Sequence, residues 1–297
     1  MLSLQLFGTR RDSASRDTVM RTLIELAVLA DQLGFSAVWL AEHHDTDWNL
    51  CADPLTLLAV LAERTDQIRL GAAVVNLALH EPARIAEQAA MVNALAGGRL
   101  ELGIGKGFSA ADYLKYGIDP GSADSVFCGK HERLCAMLCS DPDTSTMPVW
   151  LASSGNPATI CAAAEHGHGL LLAATGEKLA VIARQIAAGP ARPRVGLMRV
   201  VHTAPTPGAA RRQLRPYLAW YIDAMSRLQP GVPAPAPGHV LDTFCVTGPP
   251  LRCREALEDL RREHAVTEII AVPGIGGMSL PQTSRVLRDL ASATGTA

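Results

Sequence analysis

The sequence predicts an α/β protein of the (β/α)8 TIM-barrel class. Apolar, strand-like runs alternate with helix-length segments from one end of the chain to the other, which is typical of a parallel sheet with crossover helices. Eight such units fit within 297 residues, and this number favours a closed barrel over an open doubly wound sheet. We therefore expect one barrel domain over residues 1–297.

The eight predicted strands are short apolar runs, many of them rich in β-branched residues and bounded by turn formers. In chain order they are Leu2–Phe7, Ala37–Leu40, Ile68–Val75, Leu100–Ile104, Val149–Ala152, Gly169–Ala173, Val195–His202 and Glu268–Val272.

The predicted helices separate these strands, and several begin with a proline, which fits the first helical turn because its missing amide hydrogen costs nothing there. They are Thr18–Leu33, Pro54–Thr65, Pro82–Leu95, Phe127–Cys139, Pro157–His166, Glu177–Ala187, Pro207–Leu228, Pro249–His264 and Pro281–Ala291. A proline-rich run near 230–238 is expected to be a surface loop, with a lid over the barrel as the alternative.

Composition limits the classes of function. Hydrophobic residues make up 48% and charged residues 19% of the chain, and the net charge of -2 argues against binding of nucleic acid. No apolar run is long enough to span a membrane and no signal peptide is recognisable, so we expect a cytoplasmic protein that does not bind membranes. Seven cysteines lack disulfide or zinc spacing. Cys135 and Cys139 lie four apart on a predicted helix without a second pair, so we expect reduced thiols and no metal.

The carboxyl end of the second strand carries the strongest chemical signal. Glu42, His43 and His44 follow the apolar run there, at the end of a barrel where catalytic groups collect. Neighbouring strand residues point to opposite faces. One histidine is therefore expected to face the barrel mouth and the other to form hydrogen bonds behind it, and a purely structural role for the pair is the alternative.

Other strand ends point to a cofactor. Asn76 and His80 follow the third strand, and Lys106 follows the fourth among alternating glycines that would let backbone approach a flat or anionic ligand. The run 153–157, Ser-Ser-Gly-Asn-Pro, opens a helix whose amino end would suit a phosphate group. A glycine-rich turn and ordinary helix capping are the alternatives. Together the two sites indicate a phosphorylated cofactor with a planar ring.

The chain resembles the bacterial luciferase-like monooxygenase family, flavin enzymes with a TIM-barrel fold. Four blocks in family order support the resemblance: LGFSAVWLAEHH over 33–44, IRLGAAVV over 68–75, EPARIAEQ over 81–88 and GGRLELGIGKG over 97–107. A weaker similarity lies at Thr247–Pro250 and the segment that follows it.

The resemblance implies a two-component monooxygenase. FMN reduced by a separate flavin reductase would react with dioxygen to give a 4a-hydroperoxyflavin, which attacks a small organic substrate, as in specialised metabolism. His43 maps to the family's catalytic histidine, and we expect Glu42 to orient or support it. The family also forms homodimers through its second and third helices.

The resemblance also assigns cofactor contacts. A cis peptide bond beneath the flavin ring maps to Ala73-Val74, and the phosphate contacts map to Lys106 and Ser154. The neighbouring residues Gly107, Phe108, Ser153 and Gly155 are expected to complete the cofactor site.

Three other functions are compatible with the same residues. A deazaflavin-dependent hydride-transfer enzyme would use the same barrel and cis peptide without oxygen. A non-catalytic flavin-binding subunit would keep the fold and lose turnover. A barrel isomerase or aldolase remains as a generic alternative, although the lysine or carboxylate pairs that such enzymes use are not evident.

Overall fold

A computed structural model describes residues 2–189, 191–229 and 231–293. Positions 1, 190, 230 and 294–297, which fall within the predicted domain, lie outside the described residues. The strands are β1 (Leu2–Leu6), β2 (Ala37–Leu40), β3 (Arg69–Asn76), β4 (Leu100–Gly105), β5 (Val149–Ser153), β6 (Gly169–Leu172), β7 (Val195–Thr203), β8 (Cys245–Gly248) and β9 (Glu268–Val272).

The α-helices surround this sheet. They are α1 (Arg16–Gln32), α2 (Pro54–Ala62), α3 (Pro82–Leu95), α4 (Ala110–Lys115), α5 (Ala123–Ser140), α6 (Pro157–Glu165), α7 (Gly176–Ala188), α8 (Pro207–Ser226), α9 (Pro237–Thr243), α10 (Pro250–Glu263) and α11 (Leu280–Ala293). None of the described helices is long and apolar enough to cross a membrane.

The parallel strands close into an eight-stranded barrel, which confirms the predicted fold class. Strands β1 to β7 pair in sequence order, and β9 pairs with both β7 and β1 to complete the ring. The extra strand β8 pairs only with the last four residues of β7, from Val200 to Thr203. It therefore extends one side of the barrel at its carboxyl end without entering the ring.

All eight predicted strands are present, but three short elements were not predicted. These are β8, α4 and α9, and α5 begins at Ala123, four residues before the predicted start. Helix α9 begins at Pro237, inside the segment predicted as a loop, because proline suits the first turn of a helix. Residues 231–236 have no helix or strand, and Pro230 lies outside the described residues.

Helix α1 illustrates how the sequence places the outer layer. The side chain of Ser15 accepts a hydrogen bond from the amide of Thr18 and caps the amino end of the helix. The buried residues Val19, Leu23, Leu26, Ala27 and Ala30 recur at helical spacing and face the strands. Similar apolar stripes on the other long helices cover the outside of the barrel.

Two tryptophans fill the lower part of the barrel lumen. Trp39 of β2 and Trp150 of β5 pack edge to face, with ring centroids 5.6 Å apart. Each ring lies directly against a glycine of the neighbouring strand: a Cβ at Gly71 would be 2.1 Å from Trp39, and one at Gly169 would be 2.2 Å from Trp150. Arg69 bridges the buried carboxylates of Glu101 and Glu268 beside them. Within the lumen formed by the described residues, a ligand would therefore lie above the two rings, toward the carboxyl ends of the strands.

Candidate functional site

A pocket of about 960 Å³ opens at the carboxyl ends of the strands. The loop after β2 forms one wall, α4 and the residues before it form a second, and the carboxyl half of α8 forms a third. The pocket is large enough for a cofactor-sized or drug-sized molecule. Of the residues predicted to form the site, His43 lines it.

His43 lies in an aromatic wall of this pocket. Its ring packs edge-on against Trp48, with centroids 3.9 Å apart, and lies 5.8 Å from the ring of Phe108. The described part of the chain offers its imidazole no hydrogen-bond partner, although its backbone amide donates to Cys51 O. Burial lowers the pKa of His43 to about 3 against the opposing influence of Glu42. The imidazole is therefore neutral and free to bond to a ligand.

The aromatic wall continues to the far side of the mouth. Trp48 packs against Phe7, at the end of β1, and Tyr221 of α8, with ring centroids 5.1 Å and 5.4 Å away. Phe7 and Tyr221 are themselves 6.3 Å apart. Three separate elements thus contribute rings to one apolar surface, which suits a planar or hydrophobic ligand.

Glu42 forms a buried network that does not include the His43 ring. Its Oε1 accepts hydrogen bonds from Nε2 of His44 at 2.7 Å and of His80 at 2.8 Å, and its Oε2 accepts one from the amide of Asn76 at 2.8 Å. We expected Glu42 to orient His43, but none of these bonds reaches the His43 ring. We expected one histidine to face the mouth and the other to bond behind it, but both line the pocket. They lie in the loop after β2, where strand alternation does not apply.

The pKa of Glu42 follows from this environment. Burial by itself would raise it, but hydrogen bonds from His44 and His80, the charge of His80 and the Asn76 amide together lower it to about 2. Glu42 is therefore an ionised carboxylate that joins the end of β2 to the end of β3. Its position supports a structural and positioning role.

Helix α4 is fastened to the β2 loop by two polar contacts. Lys115 Nζ lies 2.7 Å from Asp45 Oδ2, and the Tyr116 hydroxyl lies 3.3 Å from Nδ1 of His44. All four residues of these two contacts line the pocket. The sequence indicates Tyr116 as a possible pocket residue but not helix α4, because six residues leave too short an apolar pattern to detect.

The Ala73-Val74 peptide bond is cis, as the resemblance predicted. It lies at the rim, where Val74 O accepts a hydrogen bond from the amide of Glu42 at 3.1 Å. Both residues are partly buried against the tryptophan pair. The neighbouring strand β2 leads into the loop that carries His43.

The glycines of β4 serve the packing of neighbouring strands. A Cβ at Gly103 would lie 2.1 Å from Ala72 O, and one at Gly105 would lie 2.8 Å from Val74 Cγ2 and 3.3 Å from Ala152 Cβ. We expected these glycines to admit a ligand, but the space beside them is filled by β3 and β5. Gly107, at a φ of 88°, begins the loop that leads to Phe108.

Lys106 forms an ion pair at the surface. Its Nζ lies 2.9 Å from Asp124 Oδ1 on α5, whereas the loop 153–155 follows the neighbouring strand β5. In that loop Ser153 Oγ accepts a hydrogen bond from the amide of Gly155 at 3.1 Å, and Ser154 is exposed. The structure therefore brings Ser153, Ser154 and Gly155 to the rim but pairs Lys106 with a carboxylate.

A second lysine, Lys178, lies beside this loop. A Cβ at Gly155 would be 3.8 Å from Cε of Lys178, in the first turn of α7. Lys178 was not among the predicted residues, although α7 follows the carboxyl end of β6 and such positions belong to the functional face of a barrel. Its side chain is exposed.

One known family matches most of the chain. The model described as luciferase-like monooxygenase matches residues 2–127 and 122–268. Among curated relatives, limonene 1,2-monooxygenase of Rhodococcus erythropolis is 32% identical over 255 residues, which cover 76% of this chain and 66% of that protein. The oxygenase component of the flavin-dependent trigonelline monooxygenase of Acinetobacter baylyi is 32% identical over 114 residues, or 38% and 32% of the two chains.

The first curated relatives are matched over part of their length. The aligned regions span 52%, 34% and 66% of the first three relatives. Each figure is below two thirds. These matches therefore support membership of a family more strongly than the activity of any one member.

Solved structures share the fold at low sequence identity. The monooxygenase RslO1 of Streptomyces bottropensis superposes with a TM-score of 0.84 at 20% identity, over 98% of both chains. The FMN complex of the oxygenating constituent of 3,6-diketocamphane monooxygenase of Pseudomonas putida gives 0.76 at 16% identity, again over 98% of both. A coenzyme F420-dependent tetrahydromethanopterin reductase of Methanopyrus kandleri gives 0.71 at 17%, over 98% of this chain and 97% of that one.

Proposed function

The chain belongs to the luciferase-like monooxygenase family, and on that premise we propose that it is the oxygenase of a two-component flavin monooxygenase. In this proposal one domain over residues 1–297 takes reduced FMN from a separate flavin reductase and uses dioxygen to oxidise a small organic substrate. The names of the limonene and trigonelline monooxygenases among its relatives support this class. The observation that carries the proposal is the neutral, unpartnered His43 imidazole in the aromatic wall of the pocket.

The residues at the rim fit a flavin ring. In this proposal the ring lies between the carboxyl half of β3, which contains Ala73 and Val74, and the small, exposed side chain of Ala152 at the end of β5. Bound there, reduced flavin would supply the electrons that activate dioxygen. His43, beside this space, would hydrogen-bond to the cofactor edge or the substrate as a neutral group. The surrounding rings of Trp48 and Phe108 would limit access of water.

The phosphate end of the cofactor would lie at the start of α6. The exposed hydroxyl of Ser154, the loop at Gly155 and the ammonium of Lys178 form one polar corner, and the amino end of α6 adds a favourable dipole. Lys106 would contact the phosphate only after its ion pair with Asp124 breaks. We expect Lys178→Ala to weaken FMN more than riboflavin, because riboflavin has no phosphate.

Two binding measurements test the choice of cofactor. Fluorescence titration with FMN, riboflavin and coenzyme F420 should show capture of FMN. Tight capture of F420 alone would instead establish the deazaflavin alternative, which the fold of the tetrahydromethanopterin reductase also accommodates. Comparison of Lys178→Ala with Lys106→Ala then shows which cation holds the phosphate.

A turnover experiment tests the role of His43. Purified protein, supplied with FMN, NADH and a flavin reductase, is assayed for product formation from a panel of small terpenoid and aromatic substrates. His43→Gln should lower the yield of oxygenated product at least tenfold, whereas His239→Gln, an exposed position on α9, should match the wild type. If the wild type yields only hydrogen peroxide with every substrate, the chain is a flavin-binding subunit without oxygenase activity.

We further propose a homodimer through α2 and α3. Large apolar side chains are exposed on these two helices, at Val60, Met91 and Leu95, with 41%, 68% and 49% of their surface accessible. Exposed apolar residues grouped on adjacent helices are typical of a subunit interface. The double substitution Met91→Lys and Leu95→Lys should give a monomer in light scattering, while Leu251→Lys on α10 should leave the dimer intact.

A further inference from the structure

Two imidazoles and one thiol meet outside the barrel, away from the pocket. His131 and Cys135 lie one turn apart on the same face of α5. His168 is the residue immediately before β6, at the amino end of the strands and so at the end of the barrel opposite the mouth. One ligand atom from each residue lies within 4.8 Å of the other two. Cys135 Sγ is 3.4 Å from His168 Nε2.

The cluster is buried and its hydrogen bonding is incomplete. His131 is 5% exposed, Cys135 7% and His168 9%. Nε2 of His131 is buried and has no hydrogen-bond partner among the described residues. Buried polar atoms in folded proteins nearly always have a partner. The ring that carries this unpartnered nitrogen lies 5.4 Å from the ring of His168, which indicates a missing ligand.

We propose that His131, Cys135 and His168 form a zinc-binding site that cross-links helix α5 to strand β6. Imidazole nitrogen and thiolate sulfur are the ligand atoms that Zn²⁺ prefers, at about 2.0–2.3 Å from the ion in a tetrahedral arrangement. That geometry places ligand atoms about 3.3–3.8 Å from each other. The Cys135–His168 distance already meets it, and small side-chain rotations would bring in His131.

A fourth ligand is available at the edge of the cluster. The ring centroid of His166 lies 5.2 Å from that of His131 and 5.4 Å from that of His168. His166 is exposed, so it can turn toward the ion, and otherwise a water molecule would complete the tetrahedron. Because the site lies at the end of the barrel opposite the pocket, its role is structural and it takes no part in turnover.

The protonation of these groups is compatible with zinc. Burial lowers the pKa of His131, and it lowers the pKa of His168 to about 4, so both imidazoles are neutral. Burial also raises the pKa of the Cys135 thiol to about 11. Binding of the ion would therefore displace the thiol proton to solvent and leave a zinc–thiolate bond.

Cobalt substitution tests the site directly. The full chain, freed of metal with a chelator, is titrated with Co²⁺ under anaerobic conditions. We expect one equivalent to produce the visible absorption of tetrahedral Co²⁺ together with a thiolate-to-cobalt charge-transfer band, and Zn²⁺ to remove both. We also expect free Zn²⁺ at about 100 times its Kd to raise the Tm by about 5 °C.

Matched variants assign the signal to these residues. Cys135→Ser should abolish the charge-transfer band, and His131→Gln should lower the affinity for Co²⁺ at least tenfold. Cys128→Ser, an exposed cysteine on the same helix, should leave the titration unchanged. An X-ray absorption spectrum of the zinc-loaded wild type, which depends on no variant, should show one sulfur and two or three nitrogen neighbours.

Two results would overturn the proposal. One is the absence of a saturable one-equivalent Co²⁺ signal in the wild type. The other is a zinc spectrum without sulfur, or a charge-transfer band that survives in Cys135→Ser. Neither result bears on the flavin site, because the two sites lie at opposite ends of the barrel.

Discussion

Replacement of Glu42 by glutamine should destabilise the protein in a manner that depends on pH. The carboxylate is 1% exposed, and its partners lower its pKa from 4.5 to about 2. A tenfold change in a protonation constant is about 1.4 kcal/mol, so the ionised form should contribute about 3 kcal/mol to the free energy of unfolding at pH 7. Glutamine keeps the size of the side chain but removes the charge.

The sign of the pH dependence follows from the lowered pKa. Above pH 4.5 the carboxylate is ionised in both states and its contribution is complete. As the pH falls from 4.5 toward 2, the unfolded chain takes up a proton that the folded chain does not, and the contribution is lost. The difference in stability between the wild type and Glu42→Gln should therefore fall to about half by pH 3.

Urea unfolding at a series of pH values measures this difference. Glu87→Gln is the matched control, because Glu87 is an exposed residue of α3 that pairs with Arg84 at 3.6 Å. Its effect should stay within about 0.5 kcal/mol at every pH. A Glu42→Gln difference that is below about 1 kcal/mol at pH 7, or equal at pH 7 and pH 3, would refute the assignment of the charge as the stabilising factor.

Three further predictions concern packing and protonation. Gly71→Ala should destabilise the fold by about 1–3 kcal/mol or more in urea unfolding, because the new Cβ would lie 2.1 Å from the Trp39 ring. A free energy of unfolding equal to that of the wild type would contradict the packing described. Gly129→Ala, in helix α5 with nothing within 4 Å of the new methyl group, should instead stabilise by about 1 kcal/mol, and a lower Tm would contradict it. For His43, whose pKa falls from 6.5 to about 3, the wild type should lose stability relative to His43→Gln as the pH falls below 6.5, because only the unfolded chain binds the proton. If the free energy of unfolding changes with pH in the same way in both proteins, the pKa of His43 is not lowered in the folded state.

The barrel could be predicted because each ring strand is an apolar run with a distinct boundary. Strand β8 was missed because four residues, Cys245–Gly248, lie between a proline-rich segment and two further prolines, where the pattern indicates a turn. Helices α4 and α9 were missed because six or seven residues contain too few apolar positions to show periodicity.

The site was predicted in part. Strand alternation did not separate His43 from His44, because both follow the last residue of β2 and both line the pocket. Contacts between residues distant in sequence could not be predicted. Nothing near Lys106 indicates that it pairs with Asp124, and nothing near Cys135 indicates that it contacts His168, 33 residues away. The i,i+4 spacing of His131 and Cys135 was a usable signal, but it becomes informative only when a third ligand is known to be close.

The tryptophan pair in the lumen has a consequence for the order of events. Trp39 and Trp150 fill the lumen below the mouth, so a ligand bound directly on the two rings would be covered by a second ligand bound above it. We therefore expect ordered binding, in which the ligand nearer the tryptophans binds first and dissociates last.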